Sequence, residues 1–174
     1  VYGGISEFRI NKSGKVKVKN LNISSNIITK LERNLLLFFT GFSRNSSLIL
    51  NEQNEKTKKK ESEIIKNLDF VKSLGIEIKK ELENGNCENF AKLMNTHWNY
   101  KLKRSKNMSN SSIDNLYSYA LKNGALGGKL IGAGGGGFLL FYTNNPKKLR
   151  NALKIKKLEE VSFKFDYQGV KQIF

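Results

Sequence analysis

Six residues in the last third of the chain, Gly132-Ala133-Gly134-Gly135-Gly136-Gly137, include five glycines and are the stretch best suited to chemistry. Consecutive glycines reach positive φ without a steric penalty and can turn successive backbone N–H groups toward one point, a concavity suited to phosphate. Two familiar motifs match here only as strings. Gly132-x-Gly134-x-x-Gly137 has the dinucleotide-fingerprint spacing, but that motif needs a helix after the loop to hold the pyrophosphate, and the following Phe138-Leu139-Leu140-Phe141-Tyr142 reads as a strand. The phosphate-binding P-loop needs Gly-Lys-Ser/Thr opening a helix, whereas Lys129 precedes the glycines and no Ser or Thr follows them. A glycine-filled hairpin turn without a ligand and an anion cradle both stay open from the residues alone. Against a mere turn stands the backbone entropy that each glycine adds to the unfolded chain.

Other reactive types are sparse. His97 is the sole histidine, so no multi-histidine metal site can form, and beside Trp98 it reads as a packed or exposed helix residue, with Trp98 in the core. No metal ligands are identified. Asp69, Asp114 and Asp166 are the only aspartates, and they fall in helical or terminal contexts that match no catalytic motif. Lys101, Lys103 and Arg104 are weaker candidates for a charge-assisted contact to an anion and read first as a solvated helix face.

The elements that must position the loop follow from periodicity. Residues 5–10 and 15–20 alternate around Asn11-Lys12-Ser13-Gly14 and predict a hairpin of two edge strands. The unbroken apolar run Leu35-Leu36-Leu37-Phe38-Phe39 predicts a strand buried on both faces at the sheet centre. From about residue 46 to 82 apolar positions recur every three or four residues, with the charge cluster at 56–61 either a solvated face or a short break. A second helix carries Phe90, Leu93, Met94, Trp98 and Leu102, and a third opens at a capping-box-like Ser111-x-x-Asp114 and closes at Gly124. Then come a strand over 127–131, the glycine loop, a strand over 138–142, a helix capped by Asn145-Pro146 and a strand over 160–165. The expected class is α+β, a mostly antiparallel sheet covered by helices on one face.

The chain has 174 residues, enough for one domain with a real core. Its 31 basic residues against 15 acidic ones give a formal charge of +16, but the excess is mostly lysine spread along the whole chain. A nucleic-acid-binding module would need that charge gathered on one face beside aromatics, and Tyr100 near Lys101, Lys103 and Arg104 is thin support. No apolar run approaches the roughly 20 residues that cross a bilayer, and no signal-peptide pattern is present. With Cys87 as the lone cysteine, a reducing cytoplasm is the expected location. Val1-Tyr2-Gly3-Gly4-Ile5 reads as the end of an element already under way, so the chain is expected to continue a longer protein.

Gly128-Lys129-Leu130-Ile131-Gly132-Ala133-Gly134-Gly135-Gly136-Gly137-Phe138 resembles the third conserved motif of the GHMP kinases, the superfamily named for galacto-, homoserine, mevalonate and phosphomevalonate kinases. Val1-Tyr2-Gly3-Gly4-Ile5, Leu35-Leu36-Leu37-Phe38-Phe39-Thr40-Gly41, Ser43-Arg44, Trp98-x-x-Lys101 and Ile113-Asp114-x-Leu116-Tyr117 with Gly124-Ala125 resemble, in order, the heptose 7-phosphate kinases. The resemblance implies a carboxy-terminal kinase domain over 31–174, preceded over 1–30 by a remnant of the ATP-binding domain and a connecting hairpin. It implies transfer of the γ-phosphoryl of ATP, with Mg²⁺, to the anomeric hydroxyl of a heptose 7-phosphate. The family's Pro-x-x-x-Gly-Leu-x-Ser-Ser nucleotide loop is not in this sequence, and its catalytic aspartate would lie just upstream of Val1. No catalytic residue is therefore expected within 1–174, and the chain alone is expected to be inactive. The resemblance assigns Gly132, Ala133, Gly134, Gly135, Gly136 and Gly137 to the nucleotide side, and Arg44, Thr40, Gly3, Gly4 and Lys129 to the sugar phosphate. Arg44 leads that second set because guanidinium binds phosphate bidentately. The alternatives are a related kinase for another sugar, such as fucose, and, from a different class, a basic nucleic-acid-binding module, although neither membrane nor nucleic acid is an expected partner.

Overall fold

The computed structural model describes residues 2–41 and 46–171. Strands β1 (Ser6–Ile10) and β2 (Val16–Asn20) pair antiparallel as an isolated hairpin, with Ser6 opposite Asn20 and Ile10 opposite Val16. Helix α1 (Ser25–Asn34) runs directly into β3 (Leu35–Phe39). Sequence reading assigned nothing to α1, although Ile27 and Leu31 share one helical face and Leu31 is buried.

Two helices then follow, α2 (Ser46–Lys58) and α3 (Ser62–Glu83). The charge cluster is a break: Lys60 has φ 53° and stops α2, because left-handed backbone cannot continue a helix. Helix α4 (Cys87–Leu102) and helix α5 (Ser111–Lys122) come next. The cap of α5 is Asn110, whose side-chain oxygen accepts from the Ile113 amide at 3.0 Å, and not Ser111 as the spacing suggests. Asp114 instead accepts from the Ser109 hydroxyl at 2.6 Å. Strands β4 (Ala125–Ile131) and β5 (Phe138–Thr143), helix α6 (Pro146–Ile155) and the short β6 (Glu159–Val161) complete the chain. Asn145 caps α6 through the Lys148 amide with Pro146 in its first turn, as read.

The main sheet has the order β4-β5-β3-β6 with every pairing antiparallel, so Leu35–Phe39 is an inner strand. Alternation divides its residues. Leu36, Phe38, Leu130, Leu139 and Phe141 enter one core with Trp98, Ile113, Tyr117, Leu149 and Leu153, beneath α4, α5 and α6. On the opposite face Leu35 and Tyr142 join a second core of Leu31, Leu82, Cys87, Ala91 and Met94. That second core covers the face only at the Leu35 end; toward the other end Phe39 and Phe138 meet ring to ring at 5.3 Å and stay partly exposed.

Helix α4 contributes to both cores and lies hard against β4. A Cβ on Gly127 would stand 1.8 Å from the Ala91 carbonyl oxygen, so only glycine lets the helix backbone come this close to the strand.

Candidate functional site

Strands β4 and β5 pair as far as Ile131 opposite Phe138, and residues 132–137 span the gap. Gly132, Gly134, Gly135 and Gly137 have φ of 91°, 131°, 75° and 105°, which makes the glycines a backbone requirement. The loop is held at three points. The Thr40 amide and hydroxyl both donate to the Gly137 carbonyl at 2.9 Å. The Gly135 amide donates to the Met108 carbonyl at 2.8 Å, and a Cβ on Gly134 would stand 2.4 Å from the Met108 sulfur. Lys101 donates from its ammonium to the Gly132 carbonyl.

These contacts sort the residues assigned from the resemblance. Gly134 and Gly135 are buried against Met108 and Ile49 and serve packing, and the Gly135 amide is committed within the protein. Gly132, Ala133, Gly136 and Gly137 carry the less buried part of the loop. Thr40 is buried and anchors the loop through Gly137. Gly3 and Gly4 meet the carboxy-terminal segment: a Cβ on Gly3 would stand 2.4 Å from the Tyr167 carbonyl carbon, and the Gly4 amide donates to Asp166 at 2.6 Å. Their close contacts do not include the 132–137 loop. Arg44 lies outside the described residues.

Lys129 does join the loop, in company that the sequence did not disclose. It sits opposite Leu140 on β4, partly buried, and shares a neighbourhood with Lys101, Arg104 and His97. Lys101 is only 8% exposed, and Arg104 is partly buried with its Nη2 sealed from solvent and unpartnered. The reading of these two as a solvated helix face is therefore corrected: α4 is turned so that Lys101 points inward and the turn that follows it leaves Arg104 partly buried, while Lys103 between them is exposed over the Tyr100 ring at 4.8 Å. Burial first, then the charges of Lys129 and Arg104, pulls the Lys101 ammonium down to about 8. Burial and then Arg104 lower Lys129, and burial lowers Arg104. His97 is pulled down to about 4 by burial, then by Lys129, Arg104 and Lys101, and its Nδ1 is buried without a partner.

Among the described residues none of the three cations makes an ion pair. Arg104 donates from Nε to the Asn67 side-chain oxygen at 3.0 Å. The acid next along, Glu52, is already taken by Lys56 at 2.8 Å and by the Ser105 hydroxyl at 2.5 Å. Three cations, an imidazole with an unpartnered Nδ1 and a loop edge rich in glycine amides gather positive charge and hydrogen-bond donors at this end of the sheet. Among the described residues no cluster of three or more His, Cys, Asp or Glu could hold a metal. Asp114 and Asp166 accept bonds in local turns, from the Ser109 hydroxyl and the Gln168 amide. A cleft of about 600 Å³ opens beside Thr40 between Phe39, Asn115, Tyr119 and Lys156, and none of the three cations lines it.

Residues 78–159 match the protein family described as GHMP kinases C terminal. A D-glycero-alpha-D-manno-heptose 7-phosphate kinase from Campylobacter jejuni is 30% identical over 173 residues, covering 98% of this chain and 50% of that protein. A bifunctional fucokinase/GDP-fucose pyrophosphorylase from Arabidopsis thaliana is 26% identical over 136 residues, 78% of this chain and 13% of that protein. Among solved structures, mevalonate kinase from L. major in complex with R-mevalonate superposes with a TM-score of 0.77 at 18% identity, over 94% of this chain and 50% of that one, a likeness of fold. The chain thus spans about half the length of the Campylobacter relative. No helix among the described residues is long and apolar enough to cross a membrane.

Proposed function

We propose, from the premise that this chain carries a GHMP kinase carboxy-terminal domain, that it forms one wall of the active site of an ATP-dependent kinase acting on a heptose 7-phosphate. The observation that carries the proposal is the pinned glycine loop lying beside Lys101, Lys129 and Arg104, none of them neutralised by a carboxylate. In that reading the acceptor's anomeric oxygen forms the new O–P bond, ADP departs with the old bridging oxygen, and the hydroxyl proton passes to a base supplied from outside residues 1–174.

ATP supplies the transferable phosphoryl group and Mg²⁺ neutralises its charge. Gly132, Ala133, Gly136 and Gly137 would face the transferred phosphoryl, and Thr40 would keep that edge in place through Gly137. Mg²⁺ would arrive with the ATP phosphates, since such an ion keeps water and phosphate oxygens as its main ligands. Residues 31–174 are the proposed kinase domain and 1–30 the link to the nucleotide-binding half. Without that half, phosphoryl transfer lacks both the triphosphate cradle and the base, so the 174-residue chain is expected to give no turnover.

The test is an ADP-release assay on the chain extended by the coding sequence upstream of Val1. ADP release that requires ATP, Mg²⁺ and heptose 7-phosphate together supports the reading. Turnover of fucose with no turnover of heptose 7-phosphate would transfer the assignment to the second reading, favoured by the fucokinase relative.

A further inference from the structure

Beyond β6 the described residues form no further helix or strand, yet the chain returns there to its own first residues. Phe163 and Phe165 pack against the second core and meet edge to face at 5.9 Å. The Phe165 amide donates to a Glu32 carboxylate oxygen at 3.0 Å, which ties this segment to α1. The Asp166 carboxylate then accepts from the Gln168 amide at 2.9 Å, a local turn with Tyr167 at its middle.

Two consecutive glycines are fitted to that turn. At Gly3 a Cβ would stand 2.4 Å from the Tyr167 carbonyl carbon, so backbone meets backbone. At Gly4 φ is 73°, a Cβ would stand 3.2 Å from the Tyr167 ring, and the amide donates to the Asp166 carbonyl at 2.6 Å. On the other side the Ser6 hydroxyl donates to the Gly3 carbonyl at 3.1 Å. Gly14 also has positive φ and has nothing within 4 Å, so a turn alone does not demand such a fit. Nor does stability: Asp166 is exposed and Tyr167 is 54% exposed, and contacts so open to water add little to a fold. What they can do is direct the chain, because a glycine pair left to itself is the most freely jointed pair a backbone offers.

We propose that Tyr167 and Asp166 clasp the Gly3-Gly4 joint as positioning residues for phosphoryl transfer, fixing the direction from which the half of the enzyme that precedes Val1 is presented to the glycine loop. This rests on the kinase reading above. Tyr167 acts through the joint and touches no reacting atom. A continuous route joins clasp and loop: Glu32 lies on α1, α1 runs directly into β3, and Thr40 at the end of β3 donates to the Gly137 carbonyl. In-line transfer tolerates little error in placement, since a shift of about 1 Å costs on the order of a hundredfold in rate, and a joint free to swing would misplace whatever the preceding half carries.

The test uses the chain extended upstream of Val1. Tyr167→Ala, which removes the ring over Gly4, is expected to lower kcat about tenfold or more while the KM values for ATP and heptose 7-phosphate stay within about twofold. Its melting temperature is expected to stay within about 3 °C of wild type. Tyr167→Phe, which keeps the ring, restores kcat. A residue that only stabilised the fold would lower the melting temperature and leave the kcat of the folded enzyme alone. In the 174-residue chain the Gly4 amide is expected to exchange its hydrogen slowly, and about tenfold faster in Tyr167→Ala.

An unchanged kcat in Tyr167→Ala overturns the proposal, and so does a loss that Tyr167→Phe leaves unrepaired or that only follows the unfolded fraction. A Gly4 amide that exchanges in the wild-type chain as fast as in an unfolded one overturns it before any turnover is measured. The two readings fail separately. An extended wild-type enzyme that phosphorylates no sugar while Gly4 stays protected defeats the kinase reading and leaves the clasp in place, whereas a working enzyme indifferent to Tyr167→Ala defeats the positioning role alone.

Discussion

At the end of the sheet where Leu35 pairs with Tyr142, the buried polar side chains are matched. Asn34 donates to the Tyr142 hydroxyl at 3.3 Å, and Thr143 donates to the Gly124 carbonyl at 2.7 Å. At the opposite end, beyond Ile131 and Phe138, the backbone carries four positive-φ glycines and the neighbouring cations and imidazole have no anion. The first end is closed by side chains that satisfy one another and are covered by apolar residues. The second gathers positive charge with no carboxylate beside it among the described residues, around a loop whose positive φ angles only glycine takes freely. Such a difference within one sheet sets a region that closes the core apart from the loop end, which the proposed function assigns to the ligand.

Substitutions can break that contrast or sharpen it. The largest expected effect is at the matched end: Gly127→Ala drives a methyl into the Ala91 carbonyl, so chemical denaturation should register a loss of about 3 kcal/mol or more. A loss under about 1 kcal/mol would mean that α4 can slide off β4 and that this end is not rigid.

Next in size is an acid effect at the ligand end. His97 titrates near 4 when folded and near 6.5 when unfolded, so the unfolded chain binds more protons between those values. Stability should therefore fall as pH drops from about 6.5 to about 4, and level off below. Allowing for the part of the imidazole that solvent reaches, the His97 share is about 1–2 kcal/mol. Denaturation curves of wild type and His97→Gln across that window check it, the difference between the two isolating His97 from the carboxylates.

Smaller again is Gly132→Ala. Nothing lies within 4 Å of the added Cβ, so the penalty is that of φ 91° alone, about 1 kcal/mol in equilibrium denaturation. The contrast with Gly127 is direct: one glycine answers to a neighbour's backbone and the other to its own dihedral. The smallest effect expected is Lys103→Ala, within about 0.5 kcal/mol, because that ammonium is exposed. A large loss at Lys103 would show that the turn of α4 is misjudged and that the inward pair is not Lys101 and Arg104.

The order of elements was legible in the residues wherever one period ruled. Leu35-Leu36-Leu37-Phe38-Phe39 reads as an inner strand because both of its faces meet apolar neighbours, and it is one. The glycine loop was legible as a bend between strands, since the run after Gly137 has no helical spacing. Helix α1 was not, because Lys30, Glu32 and Arg33 outnumber its two anchoring positions, Ile27 and Leu31. The cation cluster was hidden for a different reason. Composition puts Lys101 and Arg104 among 31 similar charges, and only the rotation of α4 about Trp98 and the neighbouring strand position of Lys129 distinguish them from the solvated majority. Asn110 was missed as a cap because Ser111 offers the same chemistry one residue later, and only the extended backbone of Asn110, with φ −145° and ψ 167°, decides between them.

The bare α-carbon at position 127 acts as a spacer of zero thickness between a helix and a strand. Whatever distance it fixes there is inherited along both elements, two residues on at Lys129 and, across the gap, at His97 and Lys101. The spacing of the residues around the glycine loop is thus set at a point outside the loop, and a bulkier residue at 127 would shift groups that it never touches.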